Sequence, residues 1–166
     1  MAKKVIKMSL DADSINSAIA ELMAYRSSLE QKKETLLKEL ANIGLKEAQV
    51  RFTGAMYDGV NDVNVTMQGT YPGYVILAKG KAVAFIEFGA GVYYNSGASY
   101  PGNKPQGIVG IGEYGKGYGK RQAWGYKDDN DNLVITRGNP AAMPMWYASE
   151  EMRSNILKIF KEVFGT

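Results

Sequence analysis

The chain has 166 residues, no cysteine, no histidine, and a net charge of +3 from 20 basic and 17 acidic side chains. A domain of this size can bury a core without a covalent staple. The two missing residue types exclude disulfide scaffolds, Cys/His zinc sites, thiol nucleophiles, Ser-His-Asp triads and imidazole proton shuttles.

No stretch approaches the roughly 18 apolar residues of a membrane span, and Lys7, Asp11 and Asp13 break up the start before a signal-peptide core forms. A protein that stays in, or is assembled in, a cytoplasm is expected. Val5 and Ile6 suggest a short strand over Lys4–Ser9. Ser9 then offers a cap, with Asp11 and Asp13 suited to the positive end of a helix. Ile15, Ile19, Leu22, Leu29, Leu36, Leu40 and Ile43 recur at spacings of three, four and seven. That pattern predicts a long helix with one apolar stripe, or two helices breaking near Glu30–Glu34. Gly44 is expected to interrupt it, before a further helical stretch over Leu45–Tyr57.

Strands follow. Val63, Val65 and Met67 alternate with polar neighbours in the period of a half-buried strand. Tyr74–Ala78 and Ala82–Phe88 flank Lys79-Gly80-Lys81 and read as a hairpin. Trp124–Lys127 and Leu133–Arg137 read as a second hairpin around Asp128–Asp131. Pro144 opens a last helix whose apolar side is Met145, Met152, Ile156, Ile159, Phe160 and Val163, with Gly165 at its end. The expected fold is a single α+β domain over residues 1–166. A helical region spans 10–57, and a mostly antiparallel sheet of three to five strands draws on 60–88 and 124–137. The helix 144–164 packs on one face.

Between the hairpins, Gly89–Ala123 has 35 residues, ten of them glycine, and no apolar period. Structureless connections beyond about 12–15 residues are uncommon unless they serve a function. Lys104, Lys116, Lys120 and Arg121 against Glu113 give this segment the entire net charge, since the remainder balances at 16 against 16. Tyr93, Tyr94, Tyr100, Tyr114 and Tyr118 are interleaved with these charges. Tyrosine favours interfaces, so the segment is expected to anchor a neighbouring subunit. Stacking on single-stranded nucleic acid is the competing use.

Familiar signatures fail in detail. Gly110, Gly112 and Gly115 spell a dinucleotide fingerprint, but more glycines follow where a helix is required. Gly110, Gly115 and Lys116 approach a phosphate loop, but Gly117 stands where a hydroxyl should hold magnesium. Asp128, Asn130 and Asn132 have calcium-loop spacing, yet Leu133 replaces the needed glycine and Asn139 the glutamate. Glu87, among Phe85, Ile86 and Phe88, could serve as an acid with a raised pKa. Strand alternation instead puts it at an edge or an interface, beside a basic partner. No second carboxylate completes an acid/base pair, so neither catalysis, a metal nor a cofactor is expected.

Three segments read together resemble the neck and tail-completion family of long-tailed phages, also described as minor capsid or head–tail joining proteins. Phe85-Ile86-Glu87-Phe88-Gly89 resembles that family's (V/I)E(F/Y)GT strand end, with Ala90 in place of Thr. Thr136-Arg137-Gly138-Asn139-Pro140-Ala141, with Met143-Pro144-Met145, resembles its RGxPAxPF approach to the last helix. Phe52-Thr53-Gly54-Ala55-Met56-Tyr57 is similar to its TGxLxxS piece. The resemblance implies a structural virion protein, not an enzyme, assembled in the bacterial host. It implies a six-fold ring of copies that meets connector, tail-terminator or tail-tube proteins. Lys104, Lys116, Lys120 and Arg121 would then touch double-stranded DNA non-specifically. A free-standing nucleic-acid-binding module is the alternative.

Overall fold

In the computed structural model, residues 5–57, 59, 61–89, 124–136 and 141–165 are described. The architecture is α+β. A helix α1 (Ala12–Thr53) leads into a hairpin of β1 (Asn64–Thr70) and β2 (Gly73–Lys79), then a short helix α2 (Val83–Phe88). A second hairpin, β3 (Trp124–Lys127) and β4 (Leu133–Thr136), precedes the last helix α3 (Pro144–Phe164). The four strands form two separate two-stranded antiparallel ladders, not one sheet.

The expected strand at the start is absent, and Val5–Ser9 has no regular structure. Asp11, not Ser9, caps α1, its carboxylate accepting the amide of Ser14 at 2.8 Å. Ser9 supports the cap by donating its hydroxyl to Asp11. α1 then runs unbroken for 42 residues, about 63 Å. Neither the polar run Glu30–Glu34 nor Gly44 interrupts it.

Gly44 is a site of close approach. A Cβ there would stand 2.6 Å from Met152 Sδ and 2.7 Å from Ile76 Cδ1, so the missing side chain lets α3 and β2 reach the helix axis. Asn61 closes the far end, donating its amide to the carbonyls of Phe52 at 2.6 Å and Ala55 at 2.9 Å. The Phe52 carbonyl also accepts the amide of Ala55 at 3.1 Å, so Asn61 ties the chain leaving the helix back onto its last turn.

The hairpin differs from the sequence expectation in its partners. β2 pairs with β1, in the register Val65↔Ala78 and Met67↔Ile76, across Tyr71–Pro72. Ala82–Phe88, expected as the partner strand, is instead a turn and a helix. The cause lies twenty residues upstream. The Asp62 carboxylate accepts the amides of Lys81 at 2.6 Å and Ala82 at 3.0 Å, taking up donors at the start of α2. Gly80, at φ 151°, allows the chain to pass where a Cβ would lie 2.7 Å from the Asp62 carbonyl.

The two amide bonds, that of Ala82 first, hold the Asp62 carboxyl below its ordinary value of 3.8. The amide of Asn132 does the same for Asp128 in the second hairpin. A carboxyl depressed by folding stabilises the fold above its unfolded pKa, and that contribution is lost as pH falls through the folded value. The thermal midpoint should therefore drop between about pH 5 and pH 3, and Asp62→Asn should flatten the drop. An unchanged slope in that variant would assign the acid sensitivity elsewhere.

The core sits at one end of α1. Ala48, Phe52, Tyr57, Val65, Ala82, Ile86 and Ala148 form the buried cluster. Four of the five buried residues of α1 lie between Ala41 and Phe52. α3 runs antiparallel to α1 over this end. The Arg51 guanidinium lies 3.9 Å from the Tyr147 ring centre, Met152 meets Gly44, and Lys32 Nζ lies 5.6 Å from the Phe164 ring centre. As the sequence indicates, Pro144 starts α3 and Gly165 ends it.

Candidate functional site

The tyrosines Tyr93, Tyr94, Tyr100, Tyr114 and Tyr118 lie outside the described residues, as do Lys104, Lys116, Lys120 and Arg121. Glu87 is described, and its position corrects the strand-based expectation of an edge or an interface. It is on α2 and only 3% exposed. Its two oxygens accept the backbone amides of Met145 at 2.8 Å and Trp146 at 3.1 Å. Those amides open the first turn of α3, where no side chain of the helix's own N-cap, Met143, makes a capping bond. A carboxylate suits this position twice over, as an acceptor for orphan donors and as a negative charge at the positive helix end.

Beside it the amide of Ala142 donates to the Ile86 carbonyl at 2.9 Å. Ile86 is fully buried, and Phe85 stacks on Tyr57 with ring centres 4.4 Å apart and planes 11° from parallel. Phe52–Tyr57, Phe85–Gly89 and Ala142–Met145, far apart in sequence, thus close into one corner of the molecule. Of the RGNP turn within the third segment, residues 137–140 lie outside the described residues.

Two surface concavities flank this framework. A groove of about 450 Å³ between α1, β2 and α3 is lined by Leu40, Ala41, Tyr74, Ile76, Met152 and Ile156. Its polar lining, Ser149 and Arg153, is engaged locally: Ser149 donates to the Trp146 carbonyl at 2.8 Å and Arg153 to Glu150 at 2.7 Å. A cleft of about 750 Å³ lies between α1 and the tip of the first hairpin, with Glu30, Lys33 and Glu34 on one wall and Tyr71 on the other. Both suit contact with apolar or mixed surfaces. Neither sets a nucleophile beside a base.

In the second hairpin the calcium-like residues have another use. Asp128 Oδ1 accepts the amides of Asn130 and Asn132, both at 2.9 Å, and so folds the turn. Asp131 pairs with Lys127 at 2.7 Å, and Asp129 pairs with Lys81, joining this turn to the start of α2. Among the described residues no group of three or more acidic, histidine or cysteine side chains could hold a metal ion. No described helix is long and apolar enough to cross a membrane.

The feature that periodicity alone misses is at the other end of α1. Ile15, Ile19 and Leu22, expected to pack with the rest of the stripe, are 37%, 46% and 55% exposed. The signal was one of length. α1 has 42 residues and α3 only 21, so an antiparallel neighbour that begins at Arg51 runs out near Lys32.

No family model, curated protein or solved structure matches this chain.

Proposed function

We propose that this chain is a structural protein of the head–tail junction of a long-tailed phage, forming a neck or tail-completion ring around the DNA path. One observation carries the reading. The described parts of the three segments that resemble the family meet around Phe85, Ile86 and Glu87: Tyr57 stacks on Phe85, and the Ala142, Met145 and Trp146 amides donate to Ile86 and Glu87. Their contact in one corner supports reading them as one structural unit.

In this reading the rigid body of α1, the hairpins and α3 carries the segment 89–123 toward the adjacent ring or subunit. Its tyrosines bring contact area and its lysines bring charge near the DNA. Ring contacts are heterologous and close by rotation, and lumen cations meet phosphate in a salt-dependent way. The activity is joining, with no bond made or broken.

Electron cryo-microscopy of particles carrying a tagged copy of this chain tests it. Tag density in a ring between portal and tail tube is the expected result. Deleting Gly102–Gly119 should leave the unfolding transition of the purified chain in place and give heads and tails that do not join. A tag found nowhere on the virion overturns the reading. Salt-dependent DNA binding by the isolated monomer would then put a nucleic-acid-binding module in its place.

A further inference from the structure

We propose that two copies of this chain pair through the first part of α1, as antiparallel helices related by a two-fold axis between residues 20 and 21. The inference starts from a seam that is only partly filled. α3 follows α1 from Arg51 to Lys32 and stops at Phe164. The tip of the first hairpin reaches α1 across the cleft that begins at Ser27.

Steps of three and four residues lead from Gly44 and Leu40 back through Leu37, Lys33, Leu29 and Arg26 to Leu22, Ile19 and Ile15. All therefore share one face of the helix. The face that seats α3 thus continues for about 30 Å of helix beyond it, and there Ile15, Ile19 and Leu22 are exposed to solvent, with Ala18 between them covered.

The occupant that fits is a second copy of the same arm. α3 shows what this face accepts, an antiparallel helix. A second α1 laid in that direction puts Ile19 of one copy against Leu22 of the other, twice, about the axis. In the same register Leu29 faces the small Ala12, and the methylenes of Arg26 cover Ile15 while its charge stays in water. At each end of the pair Asp11 falls level with Glu30, with Lys32 and Lys33 within the next turn.

The charges favour this direction. Asp11, Asp13 and Glu21 lie toward the start of the arm, while at its end Arg26, Lys32 and Lys33 outnumber Glu30 and Glu34, so antiparallel packing sets a net acidic end against a net basic one and opposes the helix dipoles. Length agrees as well. The second copy's helix would start at the level of Leu29, just past the point where α3 leaves the seam. The contact does not rest on the head–tail reading, because ring closure joins unlike surfaces and this pair joins like ones.

Sedimentation equilibrium on the full chain tests the pairing. A reversible dimer is expected at micromolar concentration, and Leu22→Glu should weaken it by about 100-fold or more by burying unpaired charge at the axis. Its helix content should be retained, since position 22 faces solvent in the single chain. A monomer at all concentrations, or a dimer indifferent to L22E, overturns the proposal.

Because the natural chain has no cysteine, Ile19→Cys and Leu22→Cys proteins can be mixed and oxidised to fix the direction. A 19–22 crosslink between copies is expected. Preferential 22–22 linkage in L22C alone would indicate parallel helices and overturn the pairing stated here.

Discussion

Replacing Glu87 with alanine should lower the stability of the chain by about 3 kcal/mol, with the urea midpoint falling and the slope unchanged. The figure follows from what the carboxylate does. It accepts two amides in the first turn of α3, and its removal leaves both donors at a part-buried site without that acceptor. Each such loss costs about 1–3 kcal/mol, and loss of a helix cap by itself about 1 kcal/mol. The thermal midpoint should fall by roughly 6–12 °C for a chain of this length.

Glu87→Gln keeps the shape and one acceptor oxygen but turns an amide group toward the other donor. It should lie between the two, about 1–2 kcal/mol below the natural chain. If Glu87 served a partner or a reaction instead, the midpoint would hold in both variants and only assembly or turnover would change.

Gly44→Ile should cost about 2–3 kcal/mol. The first added carbon already falls 2.6 Å from Met152 Sδ and 2.7 Å from Ile76 Cδ1, and a branched side chain must displace both at once. Gly44→Ala separates the two effects. It gains about 1 kcal/mol of helix propensity, and the atoms it meets are the far ends of flexible side chains that can turn aside. Alanine should leave the chain near its natural stability, while isoleucine should separate α1 from α3 and raise the unfolding rate. Equal losses in the two variants would show that the backbone, not side-chain room, requires glycine at this position.

These two residues also mark where the sequence could be read and where it could not. Long apolar periods are local, so α1, α3 and the hairpin flanked by Asp128–Asp131 follow from the order of the residues. Ala82–Phe88 does not, because a short apolar run suits a strand and a helix equally. A carboxylate twenty positions earlier decides it. Glu87 is misread for the same reason. Strand alternation turns it outward, whereas on α2 it points at amides more than fifty residues away.

Gly44 reads locally as a break, yet tertiary contact makes it a point of close approach for α3 and β2. Of the candidate contact residues, only Glu87 falls among the described ones. The three resembling segments were legible as separate motifs, while their meeting in one corner needed the fold.

The lopsided burial along α1 makes one geometric element into two thermodynamic ones. Its last four turns bury Ala41 and carry Ala48 and Phe52 into the cluster, and can open only when the whole domain does. Its first turns bury only Ala18 and draw on helix propensity and the Asp11 cap, and an isolated helix of that length is marginal in water. Fraying there uncovers only Ala18 of the five buried residues of α1, so the arm can melt and reform many times within the lifetime of one folded molecule. Any surface that covers Ile15, Ile19 and Leu22 therefore also decides how much of α1 is helix at a given moment.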